Sequence, residues 1–595
     1  MRHYLRENKS GALPRRLLFL DSETSKKGLP GEERDYAYMA WACFMELKAH
    51  NKKGYTEIWK KWAEMGVMWN WIEALTAQKM TLYVIASNIT FDLFATSGAE
   101  HLTDNGWTMR FYHQAATQMI LKLSKDRRSI VFLNLQNYWP VSIEKLGEYL
   151  GLPKLDVNFE KSSAEDISRY CRRDVEILRK GFLTWLAFVE KEDLGRWGFT
   201  YASQAFNAYR HRFMVDKILP LGDSEEDEFC RRGYFGGRVE CFWIGKQRAG
   251  DFYMVDVNSM YPSVMRDNFF PSVLCGEALD VPLERLEPLL KDYCLVGEAV
   301  INTDQPVYVL RDKDKMVFPV GVFTTFLGTE GIRYALDHHH LKSVNRLMIF
   351  HRAKLFTAWV EGMYPKKQEA KEKGDVIGEV IYKRLLNSLY GKFGQMAPTV
   401  VYDEYTPAFD FSSCRVFFDD DSGQGMEYKM FHRHILTKGR HASAKSNVGI
   451  ALHVTEYARF ILWGYIQQAG PENVFYCDTD SLIITDQGYK RLFTHIQPLE
   501  IGKLSLKRTG DILTINAPKD YSLGAYKKQK GISKKAVEIK PGVFQQTFFP
   551  GFKTLLARGI KSGFPIGTIE KRLTYNYTKG VVAPDGQVTP LVFGA

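Results

Sequence analysis

A multidomain protein of mixed α/β and α+β class is what this sequence predicts, and three observations predict it. The chain has 595 residues, too many for one hydrophobic core and enough for roughly three to five domains or subdomains. Its composition, 45% hydrophobic and 25% charged, is that of a globular protein rather than a disordered or fibrous one. Short apolar strands alternate with helical patterns over the first 190 residues, and strand-and-turn signals dominate the last hundred.

In chain order, apolar strands are expected at 17–20, 82–85 and 130–133, then at 252–255 and 474–476, just before Asp256 and Asp478. A helical pattern runs from about 366 to 393. Residues 397–440 mix aromatics with Asp419-Asp420-Asp421 and the pair Gly423 and Gly425. They show no clear period and read as an inserted loop or hairpin. There is no internal repeat and no long low-complexity run.

Several classes are excluded. No run approaches the ~18 unbroken apolar residues that a membrane span needs. The opening sixteen residues are basic but have no apolar core, so no signal peptide is expected. Eight scattered cysteines form no C-x-x-C pair, which disfavours a zinc ribbon or disulfide framework and suits a reducing compartment. The net charge of +11 is unevenly placed. Residues 501–595 hold 16 Lys and Arg against 5 Asp and Glu, so the first 500 residues are neutral in sum. A basic block laced with Tyr521, Tyr526, Phe548 and Phe549 suits a polyanion with stackable bases, or is a solvated face.

The first carboxylate set opens with Asp21-Ser22-Glu23-Thr24 at a strand end. Residues i and i+2 of a strand point the same way, so Asp21 and Glu23 face one point. Asn88-Ile89-Thr90-Phe91-Asp92 follows another buried strand, and Tyr170 and Asp174 are four apart on one helix face. Asp21, Glu23, Asp92 and Asp174 could hold two divalent cations through hard oxygen ligands, which activate water against a phosphodiester. Tyr170 could orient that water. Lys154 could offset charge on the phosphate, or be an exposed lysine.

The second set is Asp256-Val257-Asn258-Ser259-Met260-Tyr261 and Tyr476-Cys477-Asp478-Thr479-Asp480-Ser481. The latter lies between two apolar runs, as a hairpin tip would. Burying Asp478 and Asp480 without a counter-ion would be costly; an exposed turn is the alternative. Lys383, Asn387 and Tyr390 are spaced i, i+4, i+7 on one helix face. They could hold a triphosphate and stack a base, or be the polar side of an amphipathic helix.

These motifs resemble those of family B DNA polymerases. Asp256 to Ser263, Lys383 to Gly391 and Tyr476 to Ser481 look like the A, B and C motifs. The three carboxylate motifs around Asp21, Asp92 and Asp174 look like those of the proofreading exonuclease that precedes that polymerase. Within the family the chain is similar to the protein-primed branch of phages and linear plasmids. Tyr234-Phe235-Gly236-Gly237 matches its Y-x-G-G linker and Lys519-Asp520-Tyr521 its K-x-Y motif.

The resemblance implies a ribonuclease-H-like exonuclease domain followed by a right-hand polymerase with two insertions. Expected divisions are exonuclease 1–189, palm 190–263 and 441–545, terminal-protein-binding insertion 264–360, fingers 361–396, processivity and strand-displacement insertion 397–440 and thumb 546–595. It implies Asp256, Asp480 and the Val257 carbonyl as polymerase metal ligands with Asp478 close by, and Asp21, Glu23, Asp92 and Asp174 as exonuclease ligands. The cofactor implied is Mg²⁺, with Mn²⁺ as substitute, two ions per site. Lys383 and Lys371 would neutralise triphosphate oxygens, with Asn387 beside them. Tyr390 would stack on the base pair, and Tyr261 would exclude a ribose 2′ hydroxyl.

Asn88, Phe91 and Ser142 would contact the frayed 3′ end, although Phe91 also suits the core and Ser142 a helix cap. Tyr234, Gly236, Gly237, Lys519 and Tyr521 would contact DNA. Partners implied are primer-template DNA, deoxynucleoside triphosphates and a terminal protein acting as primer, with no membrane, in the cytoplasm of a host cell. A polymerase using an ordinary primer or none, a non-catalytic replication scaffold and a repair nuclease are the other readings. His338-His339-His340 is expected to be a surface loop rather than a metal tract.

Overall fold

The computed structural model describes residues 3–29, 32–47, 54–406, 413–419 and 423–594. The N-terminal domain is built on seven strands: β1 (Arg16–Lys27), β2 (Arg34–Leu47), β3 (Tyr55–Trp62), β4 (Thr81–Ala86), β5 (Thr108–Ala115), β6 (Gln118–Lys125) and β7 (Arg128–Asn134), in the order β3-β2-β1-β4-β7-β6-β5. β1, β4 and β7 run parallel; the outer pairs are antiparallel. Leu17, Leu18, Phe19 and Leu20 of β1 are all fully buried because both sheet faces are covered. Leu17 and Phe19 pack with Val175, Leu178, Phe182 and Trp185, a stripe at helical spacing on the helix Ala164–Lys191. Leu18 and Leu20 share a core with Leu93 and Phe94 of the helix Ile89–Ala95.

A second seven-stranded sheet holds the middle of the chain. Its order is Tyr526–Lys528, Asp520–Leu523, Leu504–Ala517, β9 (Gly245–Val257), Ser481–Thr485, Val474–Asp478 and β8 (Val239–Cys241). The long, nearly all-buried helix Val448–Ala469 packs against it. The expected strands all form, and 474–484 is the hairpin anticipated.

The region 264–360 supplies four strands of a five-stranded sheet and has its own helix Thr329–Asp337. The region 397–440 is more ordered than a loop or single hairpin. Met396–Tyr405, Arg433–Ala442, Gly423–Met430 and Ser413–Asp419 make a four-stranded antiparallel sheet. Asp420 and Asp421 lie outside the described residues. The helical pattern 366–393 is two helices, Thr357–Glu372 and Val376–Ser388, because Gly374 adopts φ +68° and turns the chain.

Several expected divisions fall inside elements. The cuts at 189, 263, 360 and 545 interrupt Ala164–Lys191, Met260–Asp267, Thr357–Glu372 and Val543–Phe548. Motif positions locate chemistry, not turns. Nor is 546–595 one unit. The helix Phe552–Ala557 joins the N-terminal core beside Phe94, together with Phe431 of the four-stranded sheet. Val592–Phe593 instead extends the sheet of the 264–360 region by pairing with Val320–Leu327. His340 departs from the surface-loop expectation: it is 7% exposed and bonds the Tyr308 hydroxyl at 2.9 Å.

Candidate active sites

The first site sits midway along β1, which does not end at Leu20 as expected but continues to Lys27. Asp21 and Glu23 lie on this strand, and a register shift after Glu23 marks where its regular pairing with β2 breaks. Asp92 is on the helix Ile89–Ala95, whose first amide, that of Ile89, donates to Asn134 Oδ1 at 2.8 Å. Ser22 Oγ donates to Asp92 Oδ1 at 2.8 Å, tying helix to strand. Asp174 comes from the long helix that starts with a capping box between Ser163 and Asp166. Lys154 Nζ bonds Asp174 Oδ2 at 2.5 Å and stands 4.4 Å from the Tyr170 ring centroid.

The four acids therefore converge, and their electrostatics follow from crowding in a dry place. Burial, then the charges of Asp174, Asp92 and Glu23, hold the Asp21 carboxyl well above the usual range. Glu23 is pushed up to about 8 by burial first and Asp174 second. Burial takes Asp92 to about 7 against the Ser22 hydrogen bond, and raises Asp174 against the Lys154 charge. Oδ1 of Asp174 has no hydrogen-bond partner. One lysine cannot neutralise four carboxylates, so the donor set fits divalent cations.

Around the cluster, Asn88 is half-buried at the start of the Asp92 helix. Phe91 packs edge-on against Phe564, centroids 5.0 Å apart. Ser142 is exposed and caps Ile143–Tyr149 by accepting from Lys145 N at 3.2 Å. Phe91 and Ser142 thus each have a structural task of their own.

The second site lies at the centre of the second sheet. Asp256 on β9 pairs with Ser481, and Val257 N–H donates to Asp480 C=O at 2.7 Å. Thr479 at the hairpin tip has φ +65°, a left-handed turn that lets Asp478 and Asp480 flank it. Asp480 is pushed up to about 6 by burial, then by Asp256 and Asp478, with Lys383 opposing. Burial raises Asp256 too, opposed by Lys507 at 3.2 Å and by Lys383 and Lys367. Asp478 meets Lys528 at 3.3 Å and Lys519 at 3.5 Å. This donor set also fits divalent cations, since three carboxylates crowd one hairpin and strand.

Lys383, Asn387 and Lys371 are exposed on the two helices above the triad. Lys366 is engaged elsewhere, in an ion pair with Glu192. Tyr261 and Tyr390 pack at 4.8 Å between centroids, and Tyr234 is near enough to influence both. Gly237 needs to be glycine, because a Cβ there would lie 2.7 Å from the Thr479 side chain. Gly236 is open on its side-chain side, and its carbonyl accepts from Arg459 at 2.9 Å. Lys519 and Tyr521 part company. Lys519 reaches Asp478, whereas Tyr521 is 4% exposed and packs on Tyr476 in the sheet core.

Residues the sequence reading passed over include Ser22, Asn134, Lys367, Lys507, Lys528 and Arg459. Lys507 and Lys528 belong to the basic C-terminal block, so its charge was the available signal. Lys367 stood among the lysines around Lys371 and Ser22 between Asp21 and Glu23, whereas Asn134 and Arg459 carried no signal, being single polar residues whose partners are distant in the chain.

Residues 148–403 match the family described as DNA polymerase type B, organellar and viral. The chain is 31% identical over 321 residues to a DNA-directed DNA polymerase of Enterobacteria phage PRD1, covering 53% of this chain and 54% of that protein. It is 21% identical over 381 residues to a probable DNA polymerase of Ascobolus immersus, covering 62% of this chain and 30% of that protein. It thus spans about half or less of the length of the first curated relatives it matches. Its fold is similar to that of Phi29 DNA polymerase complexed with primer-template DNA and incoming nucleotide substrates. The TM-score is 0.67 at 15% identity, covering 95% of this chain and 100% of that one.

Proposed function

We propose that this chain, similar over residues 148–403 to organellar and viral type B DNA polymerases, is a phage-type, protein-primed DNA-directed DNA polymerase whose N-terminal domain is a proofreading 3′→5′ exonuclease. The observation that carries this reading is the convergence of Asp256 and Asp480, 224 residues apart in sequence, through one backbone hydrogen bond. A second, separate carboxylate cluster supports the second activity.

Mg²⁺ or Mn²⁺ ions, held by Asp256, Asp480 and the Val257 carbonyl at one site and by Asp21, Glu23, Asp92 and Asp174 at the other, would supply charge stabilisation for phosphoryl transfer. The chain's own groups do the rest. Lys383, Lys371 and Lys367 bind the triphosphate. Tyr390 and Tyr261 form the floor under the new base pair, and the Tyr261 ring excludes a 2′ hydroxyl. Lys519 and Lys528 shield Asp478 where the primer strand enters. At the exonuclease site Tyr170 orients water and Lys154 faces the scissile phosphate. The sheets of 264–360 and 397–440 serve as terminal-protein dock and template collar, the latter giving strand displacement.

The test is extension of a primer-template beside degradation of a 3′-labelled single strand. Asp256→Asn should lose extension only, and Asp21→Ala with Asp92→Ala degradation only. Loss of both in a folded variant overturns the assignment. For priming, a candidate terminal protein and labelled deoxynucleotide should give a covalent adduct.

A further inference from the structure

Arg238 directly follows Gly237 and stands just before β8, and at 1% exposed it is buried as few arginines are. β8 pairs with the catalytic hairpin, Val239 opposite Asp478 and Glu240 opposite Cys477. Side chains alternate along a strand, so Val239 shares the face of Asp478 and Arg238 turns to the other face. There its Nε donates to Glu240 Oε2 at 2.6 Å. The other two guanidinium nitrogens have no hydrogen-bond partner among the described residues. The group lies over rings instead, its carbon 4.1 Å from the Phe318 centroid and 5.1 Å from that of Trp463. Cation–π attraction is strongest in such a place, where water does not compete. Phe318 belongs to the 264–360 region and Trp463 to the helix Val448–Ala469, so one side chain ties both to the edge of the sheet.

The backbone of the same residue reaches the catalytic hairpin. Arg238 C=O accepts from the Thr479 amide at 2.7 Å. Thr479 is β-branched and has φ +65°, a conformation that such residues keep only where their surroundings hold it. Its hydroxyl donates to Asp478 Oδ1 at 3.2 Å, and the Asp480 amide donates to the Asp478 carbonyl at 2.7 Å. An unbroken run of contacts thus leads from the Phe318 ring to the acids of the hairpin tip.

We propose that Arg238 is a positioning residue for polymerisation. Its guanidinium, fixed by Phe318 and Trp463, holds its carbonyl where the strained Thr479 turn needs it, and so sets Asp478 and Asp480. The inference rests on the polymerase reading above. The side chain lies on the far face of the sheet from the carboxylates and acts through Thr479.

The experiment compares full-length wild type, Arg238→Met, Arg238→Lys and Phe318→Leu in single-nucleotide incorporation on a primer-template, with rates taken per folded molecule. Arg238→Met should lower kcat by about 10–100-fold, the scale of a small misplacement of reacting groups. The KM for deoxynucleotide should stay within about twofold, because Lys383, Lys371 and Lys367 are untouched. The Mg²⁺ concentration for half-maximal extension should rise by about tenfold or more. A role confined to stability moves none of these. Arg238→Lys keeps the charge but not the planar stack, and should recover part of kcat. Phe318→Leu keeps the space filled but removes the ring, and should lower kcat by about threefold or more. Added to Arg238→Met it should lower kcat no further, since both act on one contact. Thermal unfolding reads the same contact without a cation: the two losses of stability should together be smaller than their sum. Arg238→Met leaves Glu240 without its partner, so Arg238→Met with Glu240→Gln replaces it should the single variant fail to fold. Wild-type kcat and Mg²⁺ dependence in a folded Arg238 variant without the guanidinium overturns the proposal, and so does a fall in kcat that Phe318→Leu does not share. Extension by wild type tests the premise. If it is absent, the polymerase reading fails and this inference with it; if it is present and Arg238→Met matches it, only the positioning role fails.

Discussion

The amide of Val257 donates to the carbonyl of Asp480 at 2.7 Å, and this bond sets two acids from distant segments side by side at a sheet centre. Because Asp480 is raised to about 6 by burial and by its two acidic neighbours, the triad is poised to gain from a bound cation. Asp480→Asn should therefore lower nucleotide incorporation by about 10³-fold, the scale of losing one strong electrostatic contact in a dry site. Single-nucleotide incorporation measures it. A folded Asp480→Asn protein that extends normally would remove the polymerase assignment.

Tyr261 and Tyr390 pack at 4.8 Å, so the Tyr261 ring cannot retreat from a sugar without displacing its neighbour. Tyr261→Val opens that space. The ratio of ribonucleotide to deoxyribonucleotide kcat/KM should rise by about 10–100-fold, the range that a steric pocket change supplies. An unchanged ratio excludes Tyr261 as the sugar gate.

Lys367 gives a pH prediction. Burial first, then Lys383, Lys371 and Lys507, lower it to about 8, with Glu379 opposing; its ammonium donates to Ser259 Oγ at 3.0 Å. The sign is that of a depressed base: charged below pH 8 and neutral above, well before an ordinary lysine. The KM for deoxynucleotide should rise by about tenfold as pH passes through 8, matching loss of one charge-assisted hydrogen bond. In Lys367→Arg, charged throughout, the inflection should vanish. Its persistence there assigns the titration to another group.

How much was legible in the sequence depended on whether the signal was local. Asp21 and Glu23 on one strand, Tyr170 and Asp174 on one helix, and Asp478 and Asp480 at a hairpin tip are short-range patterns, readable from period alone. The break at Gly374 was also local, a glycine between lysine and aspartate, but the strong helical period on either side masked it. The four-stranded sheet at 397–440 was not legible, because its strands are largely exposed and lack a clean alternation of apolar residues. Nor was the division of the C-terminus between two bodies. Phe552 on the N-terminal core and Phe593 on the 264–360 sheet are both ordinary aromatics whose destinations only tertiary packing decides.

A last prediction concerns a charge pair that no motif announced. Glu456 is 2% exposed and accepts from the amides of Gly328 and Gly331 at 2.8 and 3.2 Å, holding the start of the helix Thr329–Asp337. Arg459, one turn on, donates to the carbonyls of Phe235 and Gly236 at 3.2 and 2.9 Å. Beyond them Arg238 C=O accepts from Thr479 N at 2.7 Å, beside Asp478 and Asp480. Two buried side chains of opposite charge on one helix thus join the 264–360 region to the backbone that supports the catalytic hairpin. Arg459→Met takes away the nearby positive charge that opposes protonation of Glu456 and leaves the carbonyls of Phe235 and Gly236 without their donor, and should cost about 1–3 kcal/mol, read as a fall in the thermal unfolding midpoint. Burial already raises Glu456 and Arg459 pulls it back. The variant's deficit should therefore shrink as pH falls and Glu456 takes up a proton. Adding Glu456→Gln removes the stranded charge and should recover much of the stability, because the two effects are not additive. It cannot restore the bonds to Phe235 and Gly236, so kcat for extension should stay low in the double variant. Recovery of kcat together with stability would mean that Arg459 supports the fold and does not position the hairpin.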